Sequence, residues 1–509
     1  MFARGFGQRD RVPAPTRHGG ARLRGAGAAL ALVIVAGACA TAVATPTPTG
    51  GATFTPWSTN LASPTPSLNA TPSPAPSLNA TPSPTPSTGA PAEFDIAMGK
   101  AGPLAPAADL GILAGSEIND FGFDLLRRLD SNGNLCASPT SIALALAMVR
   151  QGARGATATE MDKVLHNFGS TGQADEIVAL LQALRNQTLY DDLNFYSADP
   201  SATPDHTGKQ PLVELDVSNA VFSQKGMNLE QAYLDALSSE FGAGVGLLDY
   251  ENDPEAARLT INKWASDATK GRIPQVLQPG DITKRTRIAL ANAIYLKAGW
   301  SYPFDPSKTK SLPFTRPDGS KVSVPTMASD LVYQYAAGKG YRAVQLPLGG
   351  SYGSLSMTIV VPDDMSSFVN GLTAAKLASI DTQGKSYQVD LTLPRFSAES
   401  RTDLASALTA MGMPTAFNPD KADLSGITTD QKLSIDKVIH QANIDVVEQG
   451  TTASAVTVVL VGTTGGGPEP TPPPPVKFHV DKPFLYFIRE GGTGAVLFMG
   501  RIDDPSAAG

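Results

Sequence analysis

The sequence predicts an α+β domain over residues 93–509, and three observations point to it. Helix and strand signals are about equally frequent along the chain, without the regular βαβ rhythm of a parallel sheet. Residues 476–509 carry a hairpin pattern but are too few to hold a core of their own, so they must pack back into the domain before them. A chain of 509 residues with 42% hydrophobic and 17% charged side chains can bury a large core.

The residues ahead of the domain read differently. Arg4, Arg9, Arg11, Arg17, Arg22 and Arg24 lead into the apolar stretch GAGAALALVIVAGACA, which is too short for a permanent membrane span. Residues 1–38 therefore read as an export signal. Ala36-Gly37-Ala38-Cys39 resembles the lipobox of bacterial lipoproteins, with Ala where an aliphatic residue is usual three positions before the cysteine. Cleavage there would leave Cys39 to carry a lipid, the one membrane attachment the sequence offers; cleavage after Ala38 or Ala40 without modification is the alternative. Residues 39–92 are dominated by Thr, Pro, Ser, Ala and Gly, and PSLNATPSP occurs twice. Such composition cannot bury enough apolar surface to fold and favours an extended polyproline tether, reaching up to roughly 150 Å. A net charge of −7 with no Lys/Arg cluster in the domain argues against a nucleic-acid partner. Of the two cysteines, Cys39 belongs to the signal region and Cys136 is left without an intramolecular partner, so the fold rests on its core.

Within the domain, PTSIALALAMVRQGARG reads as an apolar helix stopped at Gly152, and Thr157 with Glu160 has the form of a capping box for the next helix. Asp253-Pro254-Glu255 supplies an N-cap, an N1 proline and a first-turn acid. Ile261, Trp264, Ala265 and Ala268 then recur at helical spacing up to Gly271 and Pro274. RIALANAIYL, SMTIVVP and the alternation of Val389, Leu391 and Leu393 read as strands, and Leu485–Arg489 and Ala495–Arg501 flank a Gly-rich turn as a hairpin. Residues 194–215 read as a loop insertion.

The stretch EQGTTASAVTVVLVGTTGGGPEPTPPPP, residues 448–475, has no charge between Glu448 and Glu469. Its second half is a Gly/Pro tract inside a single domain, and a long exposed loop in such a place is usually functional. The first half is patterned as a strand. Thr451, Ala453, Ala455, Thr457, Val459 and Val461 share one uncharged face that could lie inside a sheet without burying an unpaired ion, and Gly450 precedes them as a pivot.

At this point several motifs converge. GTTASAVT after VVEQ resembles the hinge of the serpins, the serine-protease inhibitors. NLCASPTSIALALAMV, NAVFSQKG, INKWASDATKGRIP, LANAIYLKAGWSYPFDP, VDLTLPRF, LSIDKVIHQANIDVVEQGT and DKPFLYFIRE stand in that family's order. The resemblance implies a monomer of three β-sheets and eight or nine helices with an exposed reactive loop. It also implies suicide inhibition: a protease cuts the loop, becomes acyl-linked, and is dragged along as the hinge side inserts into the main sheet. Glu448, Gly450, Thr451, Ala453 and Ala455 match the hinge. Ser138, Ser141, Asn292 and His440 match the shutter under the sheet, and Trp300 matches the breach where insertion begins. The family's hinge spacing places the cleaved bond at Thr464-Gly465, with Val461-Gly462 and Thr463-Thr464 as competing bonds. Counted back from Val476 the same family would place it near Pro470, so the loop is longer than usual on its distal side. Leu460, Val461, Gly462 and Thr463 before the bond include no cation, which disfavours trypsin-like targets. Elastase-like or subtilisin-like serine proteases fit better, with papain-like cysteine proteases as an alternative.

Two other classes compete. Gly349-Gly350-Ser351-Tyr352-Gly353 matches the G-x-S-x-G elbow of hydrolases, but that motif needs a helix after the serine and SLSMTIVVP reads as a strand. No histidine stands at triad spacing, and no metal cluster, phosphate loop or dinucleotide fingerprint is present, so neither catalytic residue, metal nor cofactor is expected. The second competitor is a serpin fold that binds without inhibiting. Such members typically spoil the hinge with bulky or charged residues, whereas here only Val456 exceeds the usual size.

Overall fold

The computed structural model describes residues 94–100, 108–129, 133–170, 174–185, 189–190, 211–271, 273–350, 355–451 and 475–507. The first half of the domain runs β1 (Asp95–Ala97), α1 (Ala108–Leu126), β2 (Leu135–Ala137), α2 (Pro139–Gly152), α3 (Gly155–Val164), α4 (Ala174–Arg185), β3 (Leu189–Tyr190), β4 (Pro211–Gln224), α5 (Gln231–Ala236), β5 (Val245–Leu248), α6 (Pro254–Ala268) and β6 (Ile288–Ala298). Next come β7 (Lys310–Thr315), β8 (Lys321–Gly338), β9 (Tyr341–Leu348), β10 (Leu355–Pro362), α7 (Met365–Asn370), α8 (Ala374–Gln383), β11 (Lys385–Pro394), β12 (Phe396–Asp403) and α9 (Ala405–Met411). The chain closes with β13 (Ile439–Val446), β14 (Val476–His479), β15 (Phe484–Glu490) and β16 (Val496–Ile502). The architecture is α+β. None of the described helices is long and apolar enough to cross a membrane.

Three sheets carry the fold. In the five-stranded sheet β1, β5, β4 and β3 follow in order and β6 lines the far edge of β4; in the nine-stranded sheet β14-β11-β8-β9-β10-β15-β16-β2 follow in order with β7 on β8. The third sheet is the antiparallel pair β12–β13. α2 is buried along almost its whole length and packs against β4 and β6 as well as β16, because its Ala, Leu, Met and Val residues leave no polar stripe. α6 covers the opposite face of the five-stranded sheet, where Ala257 and Ile261 join Ala220, Phe222, Leu248, Tyr250 and Ala291 in a separate apolar cluster. Odd and even positions of β6 thus serve two cores: Ile294 and Ala298 face the main core, and Ala291 faces α6.

Several expected elements form as read. Asp253 caps α6 by accepting from Ala256 N at 2.9 Å, α2 ends at Gly152, and β15 pairs antiparallel with β16. Two expectations need correction. Thr157 and Glu160 do not form a capping box: α3 already begins at Gly155, Thr157 Oγ1 accepts from Asp423 N at 2.9 Å, and Glu160 binds Thr415. Both side chains are instead used to pin a distant segment, Thr415 at the start of a short 3-10 turn and Asp423 after it. Residues 211–215 are not loop but the start of β4, paired with β6 from Val213 opposite Ala298 onward.

Candidate functional site

The residues that match the serpin hinge in sequence begin where β13 ends. At the end of β6, Trp300 N donates to Gln449 O at 3.0 Å and the indole Nε1 donates to Val447 O at 2.8 Å. Trp300 itself is buried and stacks edge-on against Phe304. The backbone turns back at Gly450, whose φ of +142° belongs to the region glycine favours; a Cβ there would lie 2.2 Å from Ala298 O. Thr451 is next, 4% exposed, with its N–H on Ala298 O at 2.8 Å and its Oγ1 accepting from Ala298 N at 3.1 Å. Thr451, at the head of the run that the resemblance leads into an exposed loop, is already fastened to the tip of β6.

Glu448 is 2% exposed, and such a carboxylate demands partners. Arg395 supplies them, Nε at 2.8 Å and Nη2 at 2.6 Å from Oε1, and Thr309 Oγ1 donates to the same oxygen. Burial pulls the carboxyl's pKa upward, but the hydrogen bonds from Arg395 and Thr309 outweigh it and hold the group below its ordinary value. The Glu448 carbonyl accepts from Phe304 N at 3.0 Å. Arg395 and Thr309 were missed from sequence; the signal was that a Glu leading into an uncharged, strand-patterned run needs a cation from elsewhere.

Below the hinge, β6 and β13 run side by side in the same direction. Ile294, Tyr295 and Leu296 share a cavity with Asn443, Ile444, Asp445 and Thr451, while Leu290 shares another with Ile439 and His440. Among the described residues no ladder joins the two strands, so a seam separates the five-stranded sheet from β12–β13. At the lower end of the seam, His440 Nε2 accepts from Ser138 N at 3.1 Å, which places the ring proton on Nδ1. Ser138 caps α2 by accepting from Ser141 N at 3.2 Å, and Ser141 lines the same cavity as His440. Burial alone pushes the His440 pKa down to about 4, so the ring is neutral. Ser138, Ser141 and His440 thus meet at one place. Asn292 occupies the β6 position opposite Asn219, and its side chain lies outside what the structure describes.

Ala453, Ala455, Leu460, Val461, Gly462, Thr463, Thr464 and Gly465 lie outside the described residues, as do Cys39 and the tether. So does Ser351 of the G-x-S-x-G match, but the next element along the chain is the strand β10 and not a helix, which removes the hydrolase elbow.

The sequence profile described as serpin (serine protease inhibitor) matches residues 116–505. The chain belongs to the serpin family. It is 31% identical over 402 residues to the leukocyte elastase inhibitor of Xenopus laevis, covering 77% of this chain and 99% of that protein. It is 33% identical over 391 residues to an uncharacterized serpin-like protein of Thermococcus kodakarensis, covering 76% and 85%. Among solved structures, human thyroxine-binding globulin complexed with its hormone superposes with a TM-score of 0.64 at 26% identity, covering 78% of this chain and 100% of that one. The thermophilic serpin tengpin in its native state superposes at 0.67 with 22% identity, covering 80% and 97%, a likeness of fold. Family membership makes this a protease inhibitor of the serpin type and not a hydrolase.

Proposed function

We propose that this serpin is an exported suicide inhibitor that traps a serine protease of elastase-like or subtilisin-like preference. One observation carries the reading: the turn at Gly450 directs the chain from the end of β13 back towards the seam, with Thr451 bonded to Ala298 at its mouth. Because β6 and β13 point the same way, a strand entering between them from that turn is antiparallel to both, the pairing a reversed chain can make. Cleavage at Thr464-Gly465 frees the segment to continue that course with the protease still acyl-linked, the strand insertion with release of stored strain for which serpin loops are the known example. Glu448, Gly450, Thr451, Ala453 and Ala455 act as the hinge. Trp300 marks the breach, and Ser138, Ser141, Asn292 and His440 form the shutter. The small aliphatic residues Leu460 and Val461, with Gly462 and Thr463, suit a shallow specificity pocket, and the elastase inhibitors among the relatives support that class. Residues 1–38 direct export, Cys39 anchors the product by lipid, and residues 39–92 hold the inhibitory domain, residues 93–509, away from the surface.

The test is incubation of the purified domain with elastase, subtilisin, trypsin and papain, then denaturing electrophoresis and sequencing of the released peptide. An adduct with elastase or subtilisin and a peptide beginning at Gly465 is the expected result. Plain proteolysis without adduct, and a melting temperature unmoved by cleavage, would overturn it.

A further inference from the structure

The turn that ends α6 lies across the seam. Thr269 and Ile273 line the same cavity as Ile294–Leu296, Asn443–Asp445 and Thr451. An antiparallel strand starting at Thr451 opposite Ala298 would reach the level of Leu296 and Ile294 at its third and fifth residues. Anything inserting beyond its first few residues must therefore pass this turn.

Lys270 ties the turn to the sheet. Lys270 has a φ of +51°, a left-handed conformation in which Gly or Asn is the ordinary choice, and Gly271 comes next at +80°. Its ammonium reaches the α6-facing side of the sheet, pairing with Glu214 and Asp216 of β4, the latter at 2.9 Å, and lying 5.0 Å over the Tyr295 ring of β6. Asp216 and Tyr295 are opposite each other in the β4–β6 ladder, so the contact spans both strands. Lys297, opposite Glu214, is the neighbouring cation, and Arg185 and Asp267 line the adjoining cavity. The return segment moves with the helix, since Asn262 Oδ1 accepts from Val276 N and Leu277 N and Arg258 donates to Leu277 O.

We propose that Lys270 is a latch that sets the rate of strand insertion. It fastens the end of α6 to β4 and β6, and its release lets the turn lift so that the entering strand can pass. The proposal rests on the insertion reading above and makes Lys270 a positioning residue, since it touches neither the loop's cleaved bond nor the protease.

A fluorescent peptide of residues 451–464 serves as the probe, because its entry into the seam needs no protease. With the latch removed in Lys270→Met, peptide association should speed up by roughly three- to thirty-fold, the range for two partly exposed ion pairs and one cation–π contact. Lys270→Arg should stay near the parent rate and Asp216→Asn should fall between. Raising NaCl to about 1 M, where charges are screened beyond about 3 Å, should accelerate the parent protein and leave Lys270→Met unchanged. Asp216→Asn and the salt series read the same contact if Lys270→Met folds poorly. Equal rates in parent and variants, or equal salt responses, overturn the latch alone; a peptide that enters none of them overturns insertion itself.

Discussion

Glu448→Gln tests the contact with Arg395 and Thr309 most directly. The substitution keeps the size and one acceptor oxygen but removes the charge that Arg395 and Thr309 address. Hydrogen bonds to a charged group contribute about 1.5–3 kcal/mol, and truncating a buried ion pair costs about 3–5 kcal/mol when the surviving charge is stranded. Arg395 is 42% exposed in its side chain and rehydrates, so the lower range applies, about 2 kcal/mol. The Glu448 carboxyl has a folded pKa below its ordinary value of 4.5. Its contribution is therefore complete above that ordinary value and fades as pH falls through the lower folded one. Urea unfolding of parent and variant should differ by about 2 kcal/mol at pH 7, and the gap should close on acidification below pH 4.5. His440 also titrates in this region, but it is common to both proteins and cancels in the difference. A gap that is absent at pH 7, or that persists unchanged in acid, would refute the assignment of the charge to this contact.

Other substitutions probe the neighbouring parts. Gly450→Ala forces a Cβ against Ala298 O at 2.2 Å and should destabilise by about 2 kcal/mol or more, read by urea unfolding, together with slower formation of protease adduct. Thr451→Arg places a charge at a buried site and should turn inhibitor into substrate, seen as cleavage with no adduct at equal concentrations. His440 has a folded pKa of about 4 against 6.5 unfolded, so it favours the folded state above pH 6.5, and about 3 kcal/mol of that is lost as pH falls to 4. His440→Asn, which keeps an acceptor for Ser138 N, should flatten that slope. Glu117 runs in the opposite sense: burial first, and then its neighbour Glu176, raise its pKa to about 8, so stability falls as pH climbs from 4.5 towards 8. Glu117→Gln should remove that decline between pH 4.5 and about 8 from the parent's profile.

The features readable from sequence were those written locally. The cap at Asp253, the stop at Gly152 and the alternation of Val389, Leu391 and Leu393 each place their determinants within a few residues. The run of small residues after Gly450 is written just as locally, but it lies outside the described residues beyond Thr451. The features that escaped depend on partners far along the chain. Thr157 and Glu160 have the spacing of a cap, yet their partners are Asp423 and Thr415, more than 250 residues away. Arg395 meets Glu448 only because β12 and β13 are paired, and Lys270 meets Asp216 only because α6 lies over β4. The polar stretch ahead of β4 hid five strand residues, 211–215, because β4 is fixed by its ladder to β6 and not by its own composition.

The distribution of contacts also says which side of the seam moves with which part of the molecule. A two-stranded sheet is marginal on its own, and β12–β13 is supported from β2 by a row of bonds at alternate residues. Asn134 Nδ2 donates to Ser397 O at 3.3 Å, Cys136 N to Ser400 Oγ at 3.0 Å, and Ser138 N to His440 Nε2 at 3.1 Å. β2 in turn is an edge strand of the nine-stranded sheet, paired with β16. β6 belongs to the other body, laddered over 11 residue pairs to β4 and fastened to α6 through Lys270. The lower seam is therefore bounded by β6 on one side and by a pair of strands tied to a different sheet on the other. Parting there leaves both ladders whole, whereas parting anywhere else would break backbone pairs at about 1 kcal/mol each. At the upper end the turn from Val447 to Thr451 belongs to both bodies, through Trp300, Ala298 and Arg395. The two ends consequently answer to different chemistry: His440 at the lower end gives up stability as pH falls from 6.5 towards 4, whereas Glu448 at the upper end gives up its contribution only below 4.5.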